Sequence, residues 1–128
     1  MGYESKFFVV QKNSWKGYDK ETENLFYCEV LASFDMCKLG TELWSKLPKM
    51  KETDCYFYDL DGDTPILEDR YGKRLTEISV NDLIPILEEA ENKEHYRRFP
   101  YFIAMLKSIK EEIDRKEWDN VVVLHYGY

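Results

Sequence analysis

The sequence predicts an α+β domain, with a largely antiparallel sheet of four or five strands and about three helices packed on it, spanning residues 1–128 as one unit. Three observations carry this. β-Branched and aromatic runs near both ends have apolar groups on both parities, the pattern of strands covered on both faces. The first two strand-like runs are close neighbours in sequence, and an antiparallel hairpin is the simplest way to pair them. Three further segments repeat apolar residues at the three-and-four spacing of a helix face. With 128 residues and 44% apolar content, the chain can bury one core and fold alone.

Taken in order, Lys6 to Gln11 reads as a central strand, and the polar stretch Asn13 to Glu21 as a long loop that exposes Trp15 and Tyr18. From Leu25 to Phe34, one parity holds Phe26, Cys28, Val30, Ala32 and Phe34 and the other is more polar, which predicts a half-buried strand. Asp35 is placed to cap a helix whose face is Met36, Leu39, Leu43, Trp44 and Leu47, ending before Pro48. A short aromatic strand, Asp54 to Tyr58, turns through Asp59 to Asp63 into Thr64 to Leu67, a second hairpin. Arg74 to Ile78 is a further short strand. Ser79 and Asp82 resemble a capping box, but a start near Asp82 would place Pro85 in the first turn, where its missing N–H costs little. Pro100 opens the clearest helix, with Phe102, Ile103, Leu106, Ile109 and Ile113 as its apolar stripe and Glu111–Arg115 and Glu112–Lys116 as surface pairs. Val121 to Leu124 is the run of a fully buried strand.

Composition excludes several function classes. The net charge of −7 argues against direct nucleic-acid binding, which draws on clustered Lys and Arg. No run approaches the roughly 18 consecutive apolar residues of a membrane span, and the first residues lack the apolar core of an export signal. A cytoplasmic protein is expected, and Cys28, Cys37 and Cys55, an odd set without short paired spacings, fit reduced thiols there better than disulfides or a closed zinc site. The glycines are all isolated, so no phosphate loop is present and no cofactor is expected. Only His95 and His125 offer imidazole, and no nucleophile elbow accompanies them.

The most suggestive chemistry lies in Asp59, Asp61 and Asp63. Alternating carboxylates gather hard oxygen ligands, but a calcium loop starting at Asp59 would need Gly at Thr64 and Glu at Arg70. A strand running into Asp59-Leu60-Asp61-Gly62 also looks like the nucleophile motif of the haloacid dehalogenase phosphatases, with too little chain after it for that family's later motifs. The alternative is a hairpin turn that uses Asp and Gly for local hydrogen bonds and positive φ. The aromatic content of 16% suggests a protein-binding surface, with Trp15, Tyr18, Tyr96, Tyr126 and Tyr128 as interaction candidates. Acidic rows at Glu88, Glu89, Glu91 and Glu94 and at Glu111, Glu112, Asp114 and Glu117 raise a nucleic-acid-mimicking inhibitor, although Lys and Arg are interleaved with them.

The opening Ser5-Lys6-Phe7-Phe8-Val9-Val10, the stretches Cys28 to Asp35 and Asp63 to Gly72, and the ending Val122-Val123-Leu124-His125-Tyr126-Gly127-Tyr128 resemble short uncharacterised proteins of phages and prophages in Gram-positive bacteria. That resemblance implies an accessory role and brings no catalytic residues. The expectation is thus a small acidic non-enzymatic interaction domain with a protein partner, no nucleic acid and no membrane; an exposed apolar patch would serve equally as a homo-oligomer interface. The rival readings are a metal-assisted hydrolase or phosphatase-like enzyme at the Asp59/Asp61/Asp63 loop, and the acidic mimic.

Overall fold

The first strand outruns the apolar segment that announces it. In the computed structural model, which describes residues 4–36, 44, 46–59, 62–94 and 96–128, β1 is Ser5–Lys16 and pairs antiparallel with β2, Phe26–Asp35. The expected loop from Asn13 therefore begins only at Gly17, whose N–H donates to the carbonyls of Thr22 and Leu25. β3 (Lys51–Glu52), β4 (Cys55–Tyr58), β5 (Pro65–Ile66) and β6 (Thr76–Ile78) follow, then α1 (Val80–Glu94), α2 (Phe99–Lys116) and β7 (Val121–Gly127).

These strands form one sheet of order β3-β6-β7-β1-β2-β4-β5, curled into a half-barrel. The expected four- or five-stranded, largely antiparallel sheet with three helices is therefore corrected. There are seven strands, the sheet is mixed because β2 and β4 run parallel, and the described residues hold two helices. β3 is two residues long, too short for period-two patterning to reveal, whereas the second hairpin forms as expected, with β5 antiparallel to β4. The helix expected from Met36 to Leu47 lies largely outside the described residues; Met36, Trp44 and Leu47 are buried in the core.

The curl follows from connectivity. β3 and β4 stand near opposite ends of the strand order, yet only Thr53 and Asp54 join them. The three Cα–Cα steps from Glu52 to Cys55 span at most roughly 11 Å, so the two sides of the sheet must approach one another there. Thr53 N–H donates to Leu75 O at 3.0 Å and Phe26 N–H to Asp54 O at 2.8 Å, fastening both flanks of the connection.

The sheet's two faces have separate cores. On one, Phe7, Val9, Phe34, Val121 and Val123 pack against Leu83, Leu87, Phe99, Ile103 and Leu106 of the helices. On the inner face Val10, Cys28, Cys55, Phe57, Leu75 and Leu124 meet, and among the described residues no helix joins them. β2 serves both through a bulge: Val10 pairs with Val30 and Val9 with Ala32, leaving Leu31 extra. The expected single parity of β2 is thereby broken. Phe26, Cys28 and Val30 turn inward, whereas Ala32 and Phe34 pack under the helices.

α1 starts at Val80, two residues before the preferred start, because Ser79 Oγ accepts the Asp82 N–H at 3.0 Å; Pro85 then sits inside the helix, on its exposed side. α2 carries Pro100 in its first turn and ends with Glu117 at φ 55°, where the Trp118 N–H donates to Ile113 O. Its surface pairs are Lys110–Asp114 and Glu112–Arg115, one position off those expected. Among the described residues, no helix is long and apolar enough to cross a membrane.

Candidate functional site

The inner face offers the chemistry. At one end, β1 alternation places Lys12 on the same side as Phe8 and Val10, so an ammonium enters the half-barrel. Its Nζ lies 2.7 Å from Asp54 and 3.2 Å from Glu77, the latter almost fully buried. Thr53 Oγ1 donates to the same Glu77 oxygen at 3.0 Å and sits 2.9 Å from Cys55 Sγ, while Cys28 Sγ donates to Tyr56 O. Burial opposes charge on Lys12, but Asp54 and Glu77 outweigh it and raise its pKa. The Cys28 thiol is pushed up by its hydrogen bond with Cys55 and by burial.

Asp54, Cys55 and Glu77 bring ligand atoms within 4.8 Å of one another, a donor set that a divalent metal could share. Lys12, however, already supplies the positive charge that their carboxylates require. The cluster thus serves as an internal ion-pair network fastening β1, β6 and the β3–β4 connection. Sequence reading missed Lys12 and Glu77; the available signal was a charged residue at the parity of an inward apolar run, Phe8-x-Val10-x-Lys12 and Leu75-x-Glu77.

Toward the opposite end, the inner face opens into a groove of about 450 Å³ lined by Phe8, Val30, Phe57, Tyr58, Ile66 and Tyr126, with Lys6, Ser33 and Asp59 at its edges. A second hollow of about 350 Å³ shares Lys6, Phe8 and Tyr126 with it and adds Asp35, Arg70 and Tyr128, so the two are continuous. Tyr128 Oη donates to Asp35 at 2.7 Å.

The third feature is the rim of β2. Phe26 and Tyr27 pair with β4 and Cys28 Sγ still reaches Tyr56 O, so from Glu29 onward β2 bonds to β1 on one side and, among the described residues, to no strand on the other. Val30 and Leu31 are 43% and 47% exposed there. Val30 borders the inner groove, and Leu31 borders a hollow of about 290 Å³ against α2, with Ile109, Ile113, Trp118 and Val121.

The interaction candidates divide between these places. Trp15, half exposed, stacks on Tyr27 at 6.2 Å, and Tyr27 in turn touches Tyr56 and Tyr58, an outer aromatic patch whose Tyr58 also borders the inner groove. Tyr18 is 96% exposed. Tyr96 packs edge-on against Phe99 and belongs to the helical core, while Tyr126 and Tyr128 line the hollows. Asp59 and Asp63 lie in the β4–β5 connection, where the Gly62 N–H donates to Asp59 O and Gly62 takes φ 78°; Asp61 lies outside the described residues, as does His95. The acidic helix faces are neutralised in part, by Lys107–Glu88, Lys93–Glu89, Lys110–Asp114 and Arg115–Glu112.

His125 Nε2 is hydrogen-bonded to Ser5 Oγ at 2.7 Å, with Asp69 close enough to act on the imidazole electrostatically. The set has the composition of a hydrolytic triad. Ser5, however, is wholly buried, and the ring lies against Phe7, so no substrate carbonyl reaches the hydroxyl. Burial pushes the His125 pKa down to about 4, leaving the ring neutral.

Fold and site together define an α+β half-barrel domain with an open sheet edge between two apolar hollows. Comparison with family models, with curated proteins and with solved structures finds no match to this chain.

Proposed function

We infer that this chain is a protein-interaction domain that takes an extended segment of its partner along the rim of β2. The observation that carries this reading is the rim itself. Among the described residues, 29–35 have no strand partner on one side, with Val30 and Leu31 exposed and each bordering an apolar hollow on opposite faces of the sheet. In strand addition, main-chain hydrogen bonds supply affinity and alternate side chains enter pockets on the two faces. Natural sheet edges are commonly blunted by Lys or Pro, and Phe26–Phe34 contains neither, its one charge being Glu29. A phage or prophage accessory role would suit such a domain.

The outer aromatic patch of Trp15, Tyr27, Tyr56 and Tyr58 supports a second interaction reading. Affinity capture from bacterial lysate with the wild type, Leu31→Arg and Trp15→Ala separates the two. Loss of a stoichiometric partner with Leu31→Arg alone is the expected result. Loss with Trp15→Ala alone moves the interaction to the outer patch.

A further inference from the structure

We propose that the inner groove is a binding site for an amphipathic monocarboxylate, its apolar or aromatic body lying over Phe8, Phe57 and Tyr126 and its carboxylate held between Lys6 and Arg70. The site shares Val30 and Ser33 with the β2 rim, but its argument does not rest on the rim reading.

The groove has the make-up of a small-molecule site, a largely apolar trough of about 450 Å³ with a few polar groups at one end. Its floor is aromatic: Phe8 and Phe57 pack tilted at 4.8 Å between centroids, and Tyr126 meets Phe8 edge-on at 6.2 Å. These rings leave faces and edges for an apolar body to pack on. Among the described residues, no helix packs on this side of the sheet.

The polar end selects the headgroup. Lys6 and Arg70 line the continuation of the groove, and among the described residues neither forms an ion pair. Lys6 Nζ lies over the Phe8 ring at 5.3 Å, poised at the junction of the two hollows. Two carboxylates also border the groove: Asp35, which accepts the Tyr128 hydroxyl, and Asp59, at the far end. The hollow at the Lys6 and Arg70 end is lined by two cations and one carboxylate, Asp35, a net positive charge that matches one negative charge better than a phosphate dianion. A planar carboxylate also matches the fork of the Arg70 guanidinium.

The test uses the intact chain and three probes, 4-phenylbutyrate, decanoate and indole-3-propionate, each beside its primary amide. Binding is followed by two-dimensional amide NMR. The expected result is saturable perturbation of Lys6, Phe8, Arg70 and Tyr126, with at least one acid about tenfold tighter than its amide, the factor that about 1.4 kcal/mol of charge-assisted bonding gives. Arg70→Gln should remove that tenfold preference while leaving the rest of the spectrum in place. Equal binding of acid and amide would overturn the carboxylate assignment without recourse to any variant. Shifts clustered elsewhere, or none from any probe up to about 10 mM, would overturn the site.

Discussion

Acidification should weaken this protein through one imidazole. His125 is neutral in the folded state because burial pushes its pKa down to about 4, against an opposing pull from Asp69. In the unfolded chain it regains its ordinary value of 6.5. Between those values the unfolded state binds a proton that the folded state refuses, so stability rises with pH and falls as pH is lowered through the window. At 1.36 kcal/mol per unit across that interval, acidification from pH 7 to 4 removes about 3 kcal/mol through this residue. The ring is only 3% exposed, so solvent screening takes little from that figure. The assay is urea denaturation at intervals from pH 7 to pH 4, for the wild type and His125→Gln. The substitution also loses the Ser5 hydrogen bond, which offsets the two curves by a constant. The diagnostic quantity is the difference in slope, because the acidic side chains titrate alike in both proteins. Curves that stay parallel would refute the buried, neutral histidine.

Two further outcomes follow from the same physics. Lys12→Met leaves the buried Glu77 without its cation and should cost about 3–4 kcal/mol, whereas Lys12→Met with Glu77→Leu should recover most of it; a double variant as unstable as the single one contradicts the ion-pair account. Gly17→Ala would bring a Cβ to 1.9 Å from Thr22 Oγ1 and 2.9 Å from its backbone oxygen, so its denaturation midpoint should fall by the equivalent of about 2 kcal/mol; an unchanged midpoint means the 17–25 turn is looser than described.

What the sequence revealed tracks how local the cause is. β1, β7 and α2 were legible because their apolar residues repeat with the period of the element over many positions. The β1–β2 hairpin was legible for the same reason, but its bulge was not: nothing in Val30-Leu31-Ala32 marks Leu31 as the extra residue, which is set by how the strand must serve two cores. The parallel β2–β4 pair and the curl depend on where Thr53 and Asp54 end up, a property of the whole chain. The interaction candidates were chosen by residue type, so Tyr126 and Tyr128 reached a groove while Tyr96 went into the core. Lys12 and Glu77, 65 positions apart, meet only once the barrel curls.

The pairing of β1 with β7, Ser5 opposite Gly127 and Phe7 opposite His125, makes the earliest strand wait for the last. At ribosomal speeds of 5–20 residues per second, that wait is roughly 6 to 24 s. Throughout it Phe7, Phe8, Val9 and Val10 have one strand neighbour at most, and for most of it the helices that will cover Phe7 and Val9 are incomplete. A nascent chain of this protein is therefore a sticky one until β7 is made, and its yield in a cell should respond to chaperone supply.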